Sequence, residues 1–227
     1  MRITPDSLMI FAAGFGTRMG ALTAQRPKPL IEVAGRPLID HALDWADDAG
    51  LGRVVVNTHY LGDQIADHLR GRDVAISHEP AILETGGGLR QALPLLGDGP
   101  VMTLNPDTLW TGPNPLTLLR AAWDPVRMDA LLLCLEPEST RGRSGPGDFT
   151  LSPDGLLTRG GPVVYGGAHI LKPEGLHEIA EDAFSLNVLW NRMIAAGRLH
   201  GLIYPGTWCD VGRPEGIALA EEMLADV

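Results

Sequence analysis

A glycine-containing segment near the N-terminus has the residue types needed to hold a phosphate group. It reads Gly14-Phe15-Gly16-Thr17-Arg18-Met19 and directly follows an apolar run that predicts a buried strand. Glycines let the backbone bend sharply and point amide N–H groups at an anion. A dinucleotide-binding fingerprint would need glycine at Met19, and a P-loop would end in Gly-Lys-Ser/Thr, so neither motif is present. An ordinary strand-to-helix turn is the alternative interpretation.

Positive charge follows these glycines. Arg18 lies in the loop itself, and Lys28 stands between two prolines in Arg26-Pro27-Lys28-Pro29-Leu30. Proline restricts its own backbone and that of the preceding residue, so we expect Lys28 to be held extended, outside any helix. A lysine on a stiff backbone loses less entropy when it binds an anion. The pattern predicts that Arg18 and Lys28 contact phosphate, whereas Arg26 is compatible with a solvated loop.

A second glycine cluster, Gly86-Gly87-Gly88, follows Leu83-Glu84-Thr85 and opens a predicted short helix over residues 87–93. A glycine backbone can lie close to a flat ligand, and the N-terminus of a helix favours nearby negative charge. A tight turn is the alternative, although three consecutive glycines exceed what a turn requires. The cluster is therefore a candidate ligand-binding segment.

Two aspartates lie at the ends of predicted strands. Asp107 follows a strand over residues 101–104, at the carboxyl end, where open α/β sheets place their ligands. Asp210 ends a strand-like segment over residues 207–210. Carboxylates distant in sequence can meet across a parallel sheet, and Mg²⁺ binds through one or two carboxylates plus phosphate oxygens. On sequence alone each could equally be a helix cap or a surface acid.

The elements that must position these residues are short apolar strands alternating with helices. Strands are predicted at residues 7–13, 53–58, 74–77, 101–104, 130–135, 148–151, 162–171, 199–204 and 207–210. Helices are predicted at residues 37–49, 61–69, 87–93, 185–196 and 214–224. The alternation is typical of right-handed βαβ units and predicts an α/β fold with a Rossmann-like, mostly parallel (mixed) sheet flanked by helices. Because no linker separates the halves, we expect a single domain over residues 1–227, its halves meeting near residue 110.

Composition and charge narrow the function classes. The chain has 18 basic and 28 acidic residues and a net charge of −10, which argues against a nonspecific nucleic-acid or anionic-membrane binder. No apolar stretch approaches the ~20 residues of a membrane span. Two cysteines, Cys134 and Cys209, are too few for a disulfide framework and indicate a reducing compartment. We therefore expect a cytoplasmic protein.

Taken together, these motifs resemble the signature of the sugar-1-phosphate nucleotidyltransferases. The resemblance rests on AAGFGTRM followed by RPKPL and extends from about residue 8 to about residue 224. The segments LETGGG, GDF and WCDVG are similar to the short N-acetylmuramate-1-phosphate uridylyltransferase type. The resemblance implies the nucleotide-diphospho-sugar transferase (GT-A-like) fold. It also implies an enzyme that joins an NTP, here UTP, to N-acetylmuramate-1-phosphate with Mg²⁺. The products would be an NDP-sugar and pyrophosphate.

The resemblance also implies roles for individual residues, with the nucleotide on the first half of the chain and the sugar on the second. It implies catalytic roles for Arg18 and Lys28 and metal binding by Asp107 and Asp210. The implied nucleotide-binding residues are Ala12, Ala13, Gly14, Gly16, Thr17, Arg18, Lys28, Thr85, Gly86 and Gly87. The implied sugar-binding residues are Asn105, Gly147, Asp148 and Gly167.

The chain departs from the family pattern at three places. Gly20-Ala21 replaces a usual Arg-Pro, Asn105-Pro106-Asp107 replaces Gly-Asp, and residues 156–162 lack the Glu-Lys-Pro motif whose lysine contacts the sugar phosphate. A sugar that carries a carboxylate needs a positive partner, for which Arg141 and Arg143 are candidates; the alternative is that both are solvated loop arginines. The alternatives are a mannose-1-phosphate guanylyltransferase and a non-catalytic nucleotide-sugar-binding regulatory protein.

Overall fold

The computed structural model describes residues 4–226. The strands are β1 Ser7–Phe11, β2 Glu32–Val33, β3 Arg36–Pro37, β4 Arg53–Thr58, β5 Ala75–His78, β6 Val101–Leu104, β7 Thr108–Thr111, β8 Ala130–Leu135, β9 Thr140–Arg141, β10 Phe149–Leu151, β11 Leu157–Arg159, β12 Val164–Leu171, β13 Leu199–Ile203 and β14 Thr207–Asp210. The α-helices are α1 Leu38–Asp48, α2 Gly62–His68, α3 Glu84–Leu96, α4 Pro115–Ala122, α5 Asn187–Ala195 and α6 Glu215–Ala225.

Seven strands from both halves of the chain form one central sheet in the order β13-β8-β12-β6-β1-β4-β5. β1 pairs in parallel with β4 and β6, and β4 pairs in parallel with β5. β12 is antiparallel to both of its neighbours, β6 and β8, while β13 is parallel to β8. The predicted mixed, mostly parallel sheet is confirmed. Among residues 4–226, no helix is long and apolar enough to cross a membrane.

Helices cover both faces of the sheet because its strands are apolar on both sides. In β1, Leu8 and Ile10 belong to a core cluster shared with α1, α2 and α4. Met9 points to the opposite face, into a cluster shared with α3 and α5. Strands buried on both faces read as continuous hydrophobic runs, as in the ALLLCL sequence of β8. The helices thus hold the carboxyl ends of the parallel strands in fixed positions.

A separate three-stranded sheet, ordered β7-β14-β9, joins the middle of the chain to its C-terminal part. It packs with α6 in a third core cluster that includes Met19 from the loop after β1. Met19 is only 1% exposed. The residue that occupies the place of a third glycine therefore anchors the loop to β7 and β14.

The observed elements differ from the predicted ones at several boundaries. The helix predicted over residues 87–93 extends over Glu84–Leu96 and includes Pro94 near its end. The strand predicted over residues 7–13 ends at Phe11, because the next amide, Ala12 N–H, donates to the side chain of Asn57 at 2.7 Å. The helix α4 was not predicted, although Asn114 caps its first turn and Pro115 opens it.

Candidate active site

Three adjoining cavities open around Phe11, at the carboxyl end of β1. The Lys28 cavity is lined by Phe11, Ala12, Gly14, Gly16, Thr17, Arg18, Lys28, Pro29, Pro106, Asp107 and Gly212. The Glu79 cavity is lined by Phe11, Ala13, Gly14, Phe15, Gly16, Thr17, Asn57, Glu79, Ile82, Glu84, Thr85, Asn105 and Asp107. The Trp190 cavity is lined by Phe11, Thr85, Asn105, Asp148, Phe149, Arg159, Tyr165, His169, Ser185, Leu186, Asn187 and Trp190. Their shared residues make the three cavities one continuous cleft.

The glycine loop is shaped to bring Lys28 into the cleft. Gly16 has φ +64°, and a Cβ added there would lie 2.9 Å from Cβ of Lys28. Only glycine combines this left-handed backbone with so close an approach. The chain continues into a 3₁₀ segment over Thr17–Thr23. The hydroxyl of Thr23 donates to the carbonyl of Gly16 at 3.1 Å. The loop and Lys28 therefore form one packed unit.

The prediction that the backbone at Lys28 is extended is wrong. Pro27 is extended, with ψ 145°, but Lys28 begins a 3₁₀ turn over Lys28–Leu30 in which Leu30 N–H donates to the carbonyl of Pro27 at 2.9 Å. Pro29 fits the second position of this turn because its missing N–H is not needed there. The prolines still restrict the backbone, but they place Lys28 at the start of a turn rather than in an extended segment.

An ion pair between Lys28 and Asp107 lies at the centre of the cleft. Nζ of Lys28 is 2.5 Å from Oδ2 of Asp107, and the two side chains are 10% and 26% exposed. Lys28 is one of the few buried charged residues in the described part of the chain. A buried ammonium is stable only beside an anion, so the lysine is held where phosphate oxygens could replace or join the carboxylate.

Asp210 lies beside Asp107, as predicted, but the two do not meet across the parallel sheet. β14 runs antiparallel to β7, which places Asp210 opposite Thr108, the residue after Asp107. The amide of Val211 donates to the carbonyl of Asp107 at 2.9 Å, which fixes the two segments together. Burial first, and the charge of Asp107 second, raise the pKa of Asp210, while Lys28, Arg18 and Arg143 lower it. The site therefore holds two carboxylates that repel each other.

This donor set fits a hard divalent cation that takes its remaining ligands from a substrate. Mg²⁺ in proteins is bound through one or two carboxylates together with phosphates and water. Within residues 4–226, no group of three or more His, Cys, Asp or Glu side chains forms a cage for a metal. Asp107 and Asp210 thus suit Mg²⁺ that arrives with phosphate, and they do not suit a structural zinc site.

A buried polar network that the sequence did not reveal forms the wall of the Glu79 cavity. Asn57 accepts from Ala12 N–H at 2.7 Å and donates to Oε1 of Glu79 at 2.6 Å, and Oε2 of Glu79 accepts from Leu83 N–H at 3.0 Å. Asn57 and Glu79 are 3% and 1% exposed. The network ties the glycine loop to the entry of α3. In the sequence, the feature that indicates this network is the polar residue Asn57 within the apolar β4 sequence RVVVNT.

The glycines Gly86 and Gly87 pack closely against another segment of the chain. Their amides both donate to the carbonyl of Phe184, at 2.8 and 3.2 Å. An added Cβ at Gly86 would lie 2.3 Å from the Phe184 ring, and one at Gly87 would lie 2.2 Å from the carbonyl of Asp182. Thr85, by contrast, lines two of the cavities. Of this predicted trio, the structure brings only Thr85 to the cleft.

This packing predicts that Gly86→Ala destabilises the fold. Overpacking should lower the free energy of unfolding by about 1–3 kcal/mol, which exceeds the gain of up to ~1 kcal/mol from placing alanine in a helix. Thermal unfolding should therefore shift downward by several degrees. The control is Gly14→Ala, where an added Cβ meets nothing within 4 Å and the transition should hardly move. Equal melting temperatures for the two variants would contradict this explanation.

Asp148 lines the Trp190 cavity. Its carboxylate accepts from Tyr165 N–H at 2.8 Å and from Arg143 at 2.9 Å. The Tyr165 hydroxyl lies 2.6 Å from Nδ1 of His169, and burial lowers the pKa of His169 to about 3. The imidazole is therefore neutral, and it positions Tyr165 rather than carrying charge.

Of the other predicted sugar-binding residues, one lines the cleft and two pack behind the residues that line it. Asn105 lines both the Glu79 and the Trp190 cavities. Gly167 has φ +91° and packs against Asn105. A Cβ added at Gly167 would lie 3.0 Å from Cβ of Asn105. Gly147 lies against the carbonyl of Pro162, where an added Cβ would be 2.2 Å away. Both glycines thus permit close packing of the backbone that carries the lining residues.

Neither of the two arginines considered as partners of a sugar carboxylate lines the Trp190 cavity, and each pairs with a carboxylate of this chain. Arg143 is paired with Asp148, and Arg141 lies on β9 with its guanidinium 3.6 Å from Asp226, after α6. The cation that does line the Trp190 cavity is Arg159. It lies within residues 156–162, the segment in which the family's usual lysine motif is missing. A basic residue in that segment was the sequence signal for it.

The sequence of the chain is similar to sequences of known proteins. Residues 8–184 match the MobA-like NTP transferase domain family. The chain is 42% identical to the N-acetylmuramate alpha-1-phosphate uridylyltransferase of Caulobacter vibrioides, over 100% of each chain. It is 37% identical to the protein of the same name from Neisseria meningitidis serogroup B, over 90% of this chain and 92% of that one.

Solved structures show the same fold. UDP-glucose pyrophosphorylase complexed with UDP-glucose has a TM-score of 0.80 at 17% identity, covering 98% of this chain and 99% of that chain. HddC from Yersinia pseudotuberculosis has a TM-score of 0.78 at 20% identity, covering 96% and 99%. At such identities the likeness establishes the nucleotide-diphospho-sugar transferase fold alone. The sequence matches go further, and the chain belongs to the MobA-like NTP transferase domain family as an enzyme of the sugar-1-phosphate nucleotidyltransferase type.

Proposed function

We propose that this chain transfers the uridylyl group of UTP to N-acetylmuramate-1-phosphate, with release of pyrophosphate and with Mg²⁺ as cofactor. The observation that carries the reaction type is the Lys28–Asp107 pair beside Asp210, where the Lys28 cavity meets the Glu79 cavity. The identity of 42% over its full length to an N-acetylmuramate alpha-1-phosphate uridylyltransferase supports the choice of substrates.

The three cavities suit the three parts of the reacting complex. The Lys28 cavity, with its loop amides, Arg18 and Lys28, suits the triphosphate. The Glu79 cavity suits the nucleoside, and the Trp190 cavity, on the second half of the chain, suits the sugar. Asn105 and Thr85 line both the Glu79 cavity and the Trp190 cavity, so they would lie between the nucleoside and the sugar.

The chemistry needs no side-chain nucleophile or base. The second pKa of a phosphate monoester is near 6, so an oxygen of the sugar phosphate is already anionic at neutral pH and can attack the α-phosphorus. Burial raises the pKa of Cys134 to about 12 and that of Cys209 to about 11, so neither thiol supplies a nucleophile at neutral pH. The task of the protein is to align the phosphates and to neutralise their charge.

Arg18, Lys28 and the loop amides are assigned to this charge neutralisation. Lys28 is placed to bind the phosphate chain, and its bond to Asp107 holds the ammonium in position until substrate enters. Mg²⁺ held by Asp107 and Asp210 would supply further neutralisation of phosphate oxygens. We place the enzyme in the cytoplasm, where NTPs are available and where its two free cysteines stay reduced.

A matrix of four NTPs against several sugar-1-phosphates, read out as pyrophosphate release, tests the proposal. We expect the highest kcat/KM with UTP and N-acetylmuramate-1-phosphate. Preference for GTP with mannose-1-phosphate would identify a guanylyltransferase instead, and the absence of pyrophosphate release with every pair would favour a nucleotide-sugar-binding regulator.

A further inference from the structure

N-acetylmuramate differs from N-acetylglucosamine by a lactyl ether whose carboxylate is ionised at neutral pH. An enzyme that selects this sugar must offer the carboxylate a cation or several donors, because a desolvated, unpaired carboxylate is strongly disfavoured. The cation has to lie in the part of the cleft that suits the sugar. This inference rests on the function proposed above.

Arg159, at the end of β11, is placed to meet that need. Its Nε donates to Oδ1 of Asn191 at 2.9 Å, and Nη2 donates to Oδ1 of Asn187 at 2.8 Å. Its Cζ lies 4.8 Å from the centre of the Phe149 ring and 5.8 Å from that of Trp190. The guanidinium is thus held in a defined orientation by two asparagines and two aromatic rings.

The charge of Arg159 is also free to pair with a ligand. In the described part of the chain its hydrogen bonds go only to neutral acceptors, so its Nη1 donors are left for an anion. Burial lowers the pKa of Arg159, and the charge of Asp148 partly offsets this shift, as a bound anion would also do. Asp148 itself is paired with Arg143 at 2.9 Å, which reduces its repulsion of a bound anion.

The position of Arg159 within the cleft favours the lactyl carboxylate over the sugar phosphate. Its ring and asparagine neighbours Phe149, Trp190 and Asn187 line the Trp190 cavity and neither of the others. The reacting phosphate must instead approach Lys28 and Asp107, which line the Lys28 cavity and do not line the Trp190 cavity. Arg159 therefore lies in the part of the cleft that suits the sugar and outside the cavity that suits the reacting phosphates.

We propose that Arg159 is the specificity-determining residue that binds the carboxylate of the acidic sugar. The decisive measurement is kcat/KM for N-acetylmuramate-1-phosphate and for N-acetylglucosamine-1-phosphate, in the wild type and in Arg159→Ala, Arg159→Gln and Arg159→Lys. A hydrogen bond to a charged group accounts for roughly tenfold or more in such a ratio. We expect Ala and Gln to lower the ratio of the two constants about tenfold or more, and Lys to retain part of it.

The controls separate this inference from the proposed function. Arg192→Ala removes an exposed arginine on α5 that pairs with Glu178 and should leave the ratio unchanged. Arg159→Gln retains part of the side chain that packs on the rings, whereas Arg159→Ala removes it. If the loss of packing disturbs the fold, thermal unfolding will show a lower melting temperature for the alanine variant than for the glutamine variant. Equal losses on both sugars would overturn the inference and indicate an effect on a part that the two sugars share. A wild type that does not use N-acetylmuramate-1-phosphate would overturn the proposed function itself, and the inference with it.

Discussion

Replacement of Lys28 by alanine is expected to lower kcat by about 10²–10³-fold, the effect of removing one charged or hydrogen-bonding group from a pre-organised site. The ammonium is largely buried in the Lys28 cavity beside Asp107, where water is a poor substitute for it. Steady-state pyrophosphate release at saturating substrate measures the loss. Near wild-type turnover would remove Lys28 from the mechanism.

Arg26→Ala is the matched control for this variant. Arg26 lies two residues earlier in the same proline-containing loop, but its side chain is exposed. Its removal should change kcat by no more than about twofold, since surface substitutions away from a site have small effects. A large loss in both variants would show that the loop is disturbed as a whole, and would not assign a role to Lys28.

The Lys28 variant should also respond differently to Mg²⁺. In the free protein the ammonium occupies Oδ2 of Asp107 and competes with a cation for that oxygen. Without it, two neighbouring carboxylates are left unpaired, so Lys28→Ala should be destabilised and should be stabilised more by Mg²⁺ than the wild type is. Melting temperatures with and without Mg²⁺ measure both effects, and equal shifts in the two proteins would contradict the competition.

Strands of both sheets could be predicted because they carry their own sequence signal. The strands over residues 53–58, 101–104, 130–135 and 207–210 have the predicted boundaries, since each is a short apolar or β-branched run. The boundary of β1 could not be predicted, because Ala12 bonds to Asn57, 45 residues away. Local sequence contains no information about that partner.

The candidate site was predictable in its residue types but not in its contacts. The residue types at Lys28 and Asp107 indicate phosphate and metal binding, yet their direct pairing depends on a turn at Lys28 that the flanking prolines do not reveal. The glycine cluster packs against Phe184, about 100 residues further along the chain, and local sequence does not indicate that contact. The environment of Arg159 is equally hidden, because it comes from rings and asparagines distant in sequence.

Removal of either metal-binding candidate should have an equally large effect. Asp107→Asn and Asp210→Asn should each lower kcat/KM roughly 10²–10⁴-fold, because metal neutralisation of phosphate charge contributes several kcal/mol to transition-state stabilisation. Each should also raise the Mg²⁺ concentration needed for half-maximal rate. Asp67→Asn, which affects an exposed aspartate paired with Arg70, should leave both quantities unchanged.

The double variant Asp107→Asn/Asp210→Asn decides whether both aspartates serve one ion. If they hold the same Mg²⁺, the second substitution removes little that the first has not already removed, and the losses in log kcat/KM should be far from additive. Additive losses would mean that the two carboxylates act independently, despite the bond between Val211 and Asp107 that places them side by side. Full activity of the wild type in excess EDTA would contradict a metal role for either aspartate. The cations Lys28, Arg18 and Arg143 would then be left to offset the repulsion between the two carboxylates.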